Sequence, residues 1–479
     1  MEYVYKQYID GAWIDAKNAG ASDVLDPASE ETLRTVPFGD GDDCRAAIDA
    51  ASAALPKWAG STPYERGAIL RRASDLMRQH LDDLARTTVR ESGKPFAEAR
   101  REWTVSADLF EWFGEEGKRA YGRVIPSRAP TKRMLTLKQP LGVVGVITAW
   151  NFPTYNPARA WAAALAAGCT VVGRPSSYTP LSAMEMTNLL VEAGIPPGVM
   201  NLVNVDADAA GQTMLDHPAC RKISFTGSTA VGERLMDGAS RTHTRLGLEL
   251  GGNAPVLVFS DVDLKSLMPS AVRAKFRNNG QVCIAPQRYL VQDKVHDEFV
   301  ERVVPEVLSL KVGNGLDPET EIGPLIHAKQ RAWIEKLVEG ARGEGAEIAV
   351  GGRRPERFEK GYFYEPTVMT GVLPETEVFQ EEIFGPILPV TAFGDVDEAI
   401  HQANATAFGL AAFVWTNHLK VAIRAYEGIE CGMIGVNEWA PHGTEAPFGG
   451  WKQSGVGHEA GLEGLEDYLE TKLVSIGGL

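Results

Sequence analysis

Gly142-Val143-Val144-Gly145-Val146-Ile147-Thr148 is an uncharged run of β-branched residues and glycine, and its alternation with the helical stretches after it decides the fold. Residues 157–167 are small and apolar and stop at Gly168, the pattern of a helix ended by a glycine. Residues 170–173 repeat the buried-strand pattern. Thr179-Pro180 then reads as a cap followed by a first-turn proline, opening a helix that Gly194-Ile195-Pro196-Pro197 closes. Strand patterns return at residues 199–205, 222–225 and 245–250. Strands without a polar face, alternating with helices, predict an α/β fold with an open, mostly parallel sheet and helices on both faces.

Upstream, residues 42–117 carry apolar positions at helical spacing, and residues 132–138 alternate as a strand does. Downstream, a second β-α series runs from residue 254 to about residue 425. The tail at residues 466–474 reads as helix then strand, an ending suited to pairing with the sheet of a second copy. The chain has 479 residues, more than one core normally spans, so two or three domains are expected.

A formal net charge of −15 argues against nucleic acid or an anionic membrane as partner. The five cysteines (Cys44, Cys169, Cys220, Cys283, Cys431) are odd in number, with no C-x-x-C pair, so neither a disulfide framework nor a metal site is expected. The start lacks a basic segment followed by an apolar one. The uncharged stretch at residues 139–158 is broken by Asn151, Pro153 and Asn156. Neither a secretory signal nor a membrane span is read from these features. A reducing cytoplasm, where a free thiol persists, is the expected compartment.

Three residue types supply chemistry. Cys283 comes after the turn Gly280-Gln281. A thiol attacks as thiolate, and a helix N-terminus or oriented amides at that turn would lower its pKa. The alternative is a small core residue between Val282 and Ile284. Glu249 lies in the apolar run Leu246-Gly247-Leu248-Glu249-Leu250-Gly251-Gly252, where burial raises a carboxylate toward the range of a general base. The alternative is a strand-edge side chain facing solvent. Asn151 comes after an apolar strand, placed either to donate to a developing oxyanion or to shape a turn. Phe225-Thr226-Gly227-Ser228-Thr229 is strand, turn, then helix, a place for a pyrophosphate on free amides or an ordinary capped helix.

Taken in order, Trp150-Asn151-Phe152-Pro153, Ala164-Leu165-Ala166-Ala167-Gly168, Phe225-Thr226-Gly227-Ser228, Glu249-Leu250-Gly251-Gly252, Gly280-Gln281-Val282-Cys283, Glu382-Ile383-Phe384-Gly385-Pro386 and Pro447-Phe448-Gly449-Gly450 resemble the aldehyde dehydrogenase superfamily over essentially the whole chain. The resemblance implies a Rossmann-like dinucleotide-binding domain (residues 1–121 and 141–251), an α/β catalytic domain (252–435) and a small β oligomerisation element (122–140 with 455–479). It also implies a homodimer or homotetramer.

By the same resemblance Cys283 attacks the aldehyde, Asn151 and the Cys283 amide hold the oxyanion, Glu249 activates water, and Glu459 relays protons. Thr148, Trp150, Arg174, Ser177, Gly227, Ser228, Glu382 and Phe384 are implied to bind the nucleotide. Where the family usually reads Lys-Pro-x-Glu, this chain has Arg174-Pro175-Ser176-Ser177. Loss of the carboxylate removes repulsion of a 2′-phosphate, and a guanidinium suits one, so NADP is favoured over NAD.

Within the family the chain most resembles the succinate-semialdehyde dehydrogenases. Arg159 and Arg277 look like the pair that holds a remote carboxylate, the alternative being structural ion pairing. His442 stands where that subfamily has a serine, with Trp439 adding bulk nearby, and Phe448 is the remaining substrate-binding candidate. Ala285, two residues after the thiol, excludes the two-cysteine switch of some relatives. The competing readings are a broad-specificity aldehyde dehydrogenase with Trp439, Phe448 and Trp161 as apolar walls, a cofactor-independent thiol hydrolase, and a non-catalytic homologue.

Overall fold

The computed structural model describes residues 2–478. The glycine- and valine-rich run becomes the strand Val143–Ile147, buried along its whole length. It pairs in parallel with Thr170–Arg174 on one side and Cys220–Thr226 on the other. Met200–Leu202 and Arg245–Glu249 extend the parallel block outward. These strands tolerate apolar residues on both faces because helices cover both, and Tyr155–Ala167 is buried at all but its first position. Gly168 and Gly194 end their helices at φ 96° and 97°, a left-handed conformation that glycine adopts without strain.

Two short elements that the sequence did not announce complete this eight-stranded sheet. A hairpin of Gln7–Ile9 and Ala12–Ile14 adds an antiparallel edge through Tyr8 opposite Leu202. At the other edge Gly455–Val456 runs antiparallel to Leu248–Glu249. Gly455–Val456 therefore departs from the small β element expected for residues 455–479.

The helix expected from Thr179-Pro180 spans Leu181–Ala193, and Thr179 does not cap it. Its hydroxyl reaches the Trp150 carbonyl at 3.3 Å. The first amides, of Leu181 and Ser182, instead donate to the buried Glu91 carboxylate at 2.8 and 2.9 Å. Glu91 lies 90 positions upstream, so no local pattern reveals the cap.

The second β-α series forms a seven-stranded sheet in the order Glu347–Val350, Thr367–Thr370, Ile387–Phe393, Pro286–Gln292, Ala254–Val258, Ala411–Trp415, Met433–Val436. Only its first pair is antiparallel. A three-stranded antiparallel sheet joins Leu469–Ile476, Arg133–Pro140 and Val124–Ile125. Val124, Leu137, Leu473 and Ile476 on that sheet are exposed. No helix among the described residues is long and apolar enough to cross a membrane.

Candidate active site

Cys283 lies in the turn between the short 3₁₀ segment Arg277–Gly280 and the strand Pro286–Gln292. Asn278, Asn279 and Gly280 are consecutively left-handed, at φ 48°, 56° and 71°. A Cβ on Gly280 would stand 2.1 Å from the Gly385 carbonyl oxygen. One on Gly252 would stand 2.1 Å from the Cys283 carbonyl oxygen. The thiol loop is thus wedged between the Gly251-Gly252 turn and the Glu382–Pro386 segment, and only glycine fits at both contacts.

No helix begins at Cys283, so the expected lowering of its pKa by a helix N-terminus is not met. Burial pushes the thiol up to about 12, with Arg159 opposing and Glu382 adding to the shift. The thiol is therefore protonated at neutral pH and needs a proton acceptor before it can attack. The other four cysteines are buried.

Glu249 ends the strand Arg245–Glu249 and is buried rather than solvent-facing. Its Oε2 has no hydrogen-bond partner. Burial raises its pKa well above the ordinary carboxylate value, Glu459 adds to the rise, and Arg159 opposes it. Glu459 reaches this site on a short antiparallel bridge, exchanging backbone hydrogen bonds of 2.7 Å with Phe448 in both directions. Its Oε1 accepts from the Ser224 hydroxyl at 3.1 Å. Its Oε2 lies 2.9 Å from Nε of Arg159.

Asn151 is held from every side. Its Nδ2 donates to the Gln281 carbonyl at 3.1 Å, its Oδ1 accepts from Asn156 at 3.2 Å, and its carbonyl accepts from Lys94 Nζ at 2.8 Å and Asn278 Nδ2 at 2.9 Å. Of the two amide hydrogens on Nδ2, one remains for an oxyanion. Lys94 forms a buried ion pair of 2.5 Å with Glu102. The other oxygen of Glu102 accepts from the amides of Thr154 and Tyr155 at 2.8 and 3.2 Å, capping the helix that begins at Tyr155. The sequence did not single out this pair. Its trace is there: Ala99, Trp103, Ser106 and Phe110 mark the buried stripe of a helix, and Glu102 falls on it.

A cavity of about 300 Å³ opens beside the thiol. Cys283, Arg159, Arg277, His442 and Phe448 line it, together with Arg101, which the sequence did not single out. Burial lowers the Arg277 pKa while Glu98 opposes. Burial and the neighbouring Arg277 push His442 down to about 4, so its imidazole is neutral at physiological pH. Trp439 and Trp161 are not walls of this cavity. The Trp439 indole donates to Ser270 and packs on Trp415 with ring centres 4.7 Å apart, and Trp161 is buried against Gly173. Of the three expected apolar walls only Phe448 faces the thiol.

Of the expected nucleotide residues, Thr148, Trp150, Arg174, Ser177, Gly227 and Ser228 lie at or just past the C-terminal ends of parallel strands, while Glu382 and Phe384 lie in the segment before the strand Ile387–Phe393. Ser228 occupies the cap position of the helix Thr229–Thr242, yet its side chain makes no cap hydrogen bond. First-turn amides are thereby left for an anion, which distinguishes this from an ordinary capped helix. Beside them a cavity of about 160 Å³ is lined by Ile147, Phe225, Val231 and Leu235, with Asp208, Gln212 and Arg234 supplying polar groups, a slot suited to a flat polar base. The residues present fit a dinucleotide.

Glu382 accepts from the Gly252 amide at 2.9 Å, and burial pushes it up to about 7. Trp150 meets Phe384 edge-on, ring centres 5.3 Å apart. The Thr148 amide donates to the Arg174 carbonyl at 3.1 Å. Arg174 is less free than its place in the sequence suggests. Its Nε donates to the Val205 carbonyl at 2.9 Å, and burial pushes its pKa down to about 10, leaving it charged at neutral pH. Ser177 is half-buried.

Residues 13–474 match the family model described as the aldehyde dehydrogenase family. The chain belongs to that family. It is 45% identical over 469 residues to the NADP(+) succinate-semialdehyde dehydrogenase of Escherichia coli (strain K12), covering 98% of this chain and 97% of the relative. It is 44% identical over 472 residues to the glutarate-semialdehyde dehydrogenase of Pseudomonas aeruginosa, with the same coverage. Among solved structures, an NADP-dependent enzyme of E. coli superposes with a TM-score of 0.97 at 44% identity, covering 99% of this chain and 98% of the other. The aldehyde dehydrogenase fold inferred from the ordered motifs is therefore the fold of this chain.

Proposed function

We propose that this aldehyde dehydrogenase oxidises a small aldehyde carrying a remote anion, such as succinic semialdehyde, to the acid, with NADP favoured over NAD. The observation that carries the reading is the meeting of Arg159 and Arg277 with Cys283 around one cavity, with Nη1 of the buried Arg159 lacking any partner. A buried guanidinium donor without an acceptor is costly, and a substrate carboxylate supplies the acceptor. The relatives from E. coli and P. aeruginosa are named for semialdehydes that differ by one carbon, so the class is favoured and the chain length is a matter of fit.

In this reading the Cys283 S–H proton passes to the Glu249 carboxylate and on to solvent, and the sulfur bonds the carbonyl carbon. The alkoxide that forms is held by Asn151 Nδ2 and the Cys283 amide. The nucleotide, when bound, supplies the hydride acceptor that turns this adduct into a thioester. Thr148, Trp150, Gly227, Ser228, Glu382 and Phe384 would hold it, with Arg174 and Ser177 beside its adenosine end. Glu249 then takes a proton from water as the water oxygen bonds the acyl carbon. The C–S bond breaks, and Cys283 leaves as thiolate.

Phe152, Tyr155 and Phe448 also line the cavity, which favours as the second reading a broad-specificity enzyme for neutral aldehydes. kcat/KM for succinic semialdehyde against butanal decides between them. Loss of the charge-assisted bonds predicts a preference of at least ~100-fold for the anion, and a ratio near one would return the enzyme to the broad reading.

The division into a dinucleotide-binding domain, a catalytic domain and a small β element is part of this proposal, and the three largest of the sheets support it. So is a homo-oligomer: Val124 is 86% and Leu473 57% exposed on the small sheet, and a second copy would cover them. Sedimentation at equilibrium tests this, a monomer at all concentrations being the contrary result. The cytoplasm is the proposed compartment, since the free thiol needs a reducing one.

A further inference from the structure

An arginine that only holds substrate would have its donors open to the cavity, and one that only braces the fold would have them all engaged. Arg159 fits neither description. Its Nε lies 2.9 Å from Glu459 Oε2, an ion pair in which neither atom meets hydrogen-bond geometry, and its Nη2 donates to Asn156 Oδ1 at 3.3 Å. Its Nη1, also buried, has no partner. The guanidinium is clamped between Phe448 and Tyr155, 4.1 and 4.8 Å from the two ring centres. It has no room to swing between two tasks, and its planar fork presents separate edges that hold two anions at once.

We infer that Arg159 serves both halves of the reaction, its Nη1 taking the remote anion of the substrate while its Nε positions Glu459 beside the base Glu249. The inference rests on the proposed roles of Cys283 and Glu249. During hydrolysis the proton taken from water sits on Glu249, the water oxygen has bonded the acyl carbon, and the C–S electron pair has returned to sulfur. Glu249 must lose that proton before the next turnover. Glu459 is the neighbouring charge that acts most strongly on Glu249, and it is fixed by the Phe448 bridge, by Ser224 and by Arg159. The proton passes to Glu459 and is released with the acid. Arg159 is thus a positioning residue for the hydrolytic step and a binding residue for the first.

The test separates the two roles with an aldehyde that has no anion to bind. With Arg159→Gln and butanal, rapid mixing under saturating NADP should show a burst of reduced nucleotide, its rate lowered by the loss of the charge beside Cys283 but by less than the steady rate. A steady state about 10-fold slower than wild type should come after it, as the thioester waits for water. Arg159→Lys should recover part of the steady rate. Glu459→Gln should stall on butanal in the same way, and the double variant should be no slower than Glu459→Gln alone, because the two act through one contact.

Wild-type steady turnover of butanal by Arg159→Gln, without a burst, would overturn the inference and leave the carboxylate pocket standing. Should Arg159→Gln fail to fold, unchanged butanal turnover by Glu459→Gln overturns it equally. A wild-type enzyme that does not prefer succinic semialdehyde to butanal sinks the substrate reading instead, and the butanal arm is still decided by these variants.

Discussion

Lys94 Nζ donates to the backbone carbonyl of Asn151 at 2.8 Å, and neither residue reaches solvent, at 2% and 4% exposure. The proposed oxyanion amide is therefore positioned through its main chain by a cation that Glu102 neutralises. Lys94→Met leaves Glu102 buried and uncompensated, at a cost of about 3–5 kcal/mol of stability. In the protein that remains folded, acylation of Cys283 by an activated ester, which forms an oxyanion, should slow far more than its alkylation by iodoacetamide, which does not. Equal losses in the two reactions would remove Lys94 from any role at the oxyanion.

Gly280→Ala tests the wedge that holds the thiol loop. Its Cβ would meet the Gly385 carbonyl oxygen at 2.1 Å, and φ of 71° is strained for alanine. The loop must shift by a large fraction of an ångström or more, and kcat should fall about 100-fold. Nucleotide binding, measured by fluorescence quenching, should weaken far less than kcat, because Ser228 and the 160 Å³ slot lie elsewhere and only the Glu382–Pro386 segment is disturbed.

Ser177→Glu restores the carboxylate that the family usually carries at this point. It should lower kcat/KM for NADP by at least ~10-fold, through repulsion of the 2′-phosphate, while NAD is affected little. An unchanged NADP to NAD ratio would show that Ser177 does not face the ribose.

Glu185 gives a pH dependence with a definite sign. It is buried, accepts from the Tyr5 and Thr87 hydroxyls at 2.7 Å each, and has an unpartnered Oε2. Burial pushes its pKa up to about 8. Below the ordinary carboxylate pKa both folded and unfolded chains hold the proton. As pH rises above that value, the unfolded chain releases it first, so the stability due to this group is lost until the folded pKa is passed. Glu185→Gln mimics the protonated acid. Its apparent Tm should match wild type at about pH 4 and exceed it by about 2 °C or more at about pH 8.5. A Tm difference independent of pH would mean that Glu185 is ionised in the folded chain.

The sequence announces what depends on short-range pattern. The parallel strands around Val143–Ile147 are legible because burial on both faces forces an apolar run, and Gly168 and Gly194 because a left-handed residue must end each helix. Glu249 is legible for the same reason, since it interrupts an otherwise apolar strand, and Cys283 and Asn151 because each follows a recognisable turn or strand end. What stayed hidden is what distant residues do to one another. Glu91 caps a helix 90 positions away, Lys94 reaches Asn151, and Trp439 turns into the core toward Trp415, where its indole finds Ser270. The expected lowering of the Cys283 pKa failed because a Gly-Gln turn shows where the chain bends and not whether a helix begins there. The N-terminal hairpin escaped because three-residue strands have too few alternations to read.

The stretch from Gly455 to Ile476 supplies an edge to the eight-stranded sheet, the Glu459 carboxylate paired with Arg159, and a strand of the small sheet. The thiol of Cys283 precedes all of these in the chain. On the ribosome, the cysteine is made 176 residues before Glu459, while the pieces that complete its surroundings do not yet exist. A partly synthesised chain therefore has the proposed nucleophile without its finished surroundings, and the site is complete only once the stretch from Gly455 to Ile476 has been made.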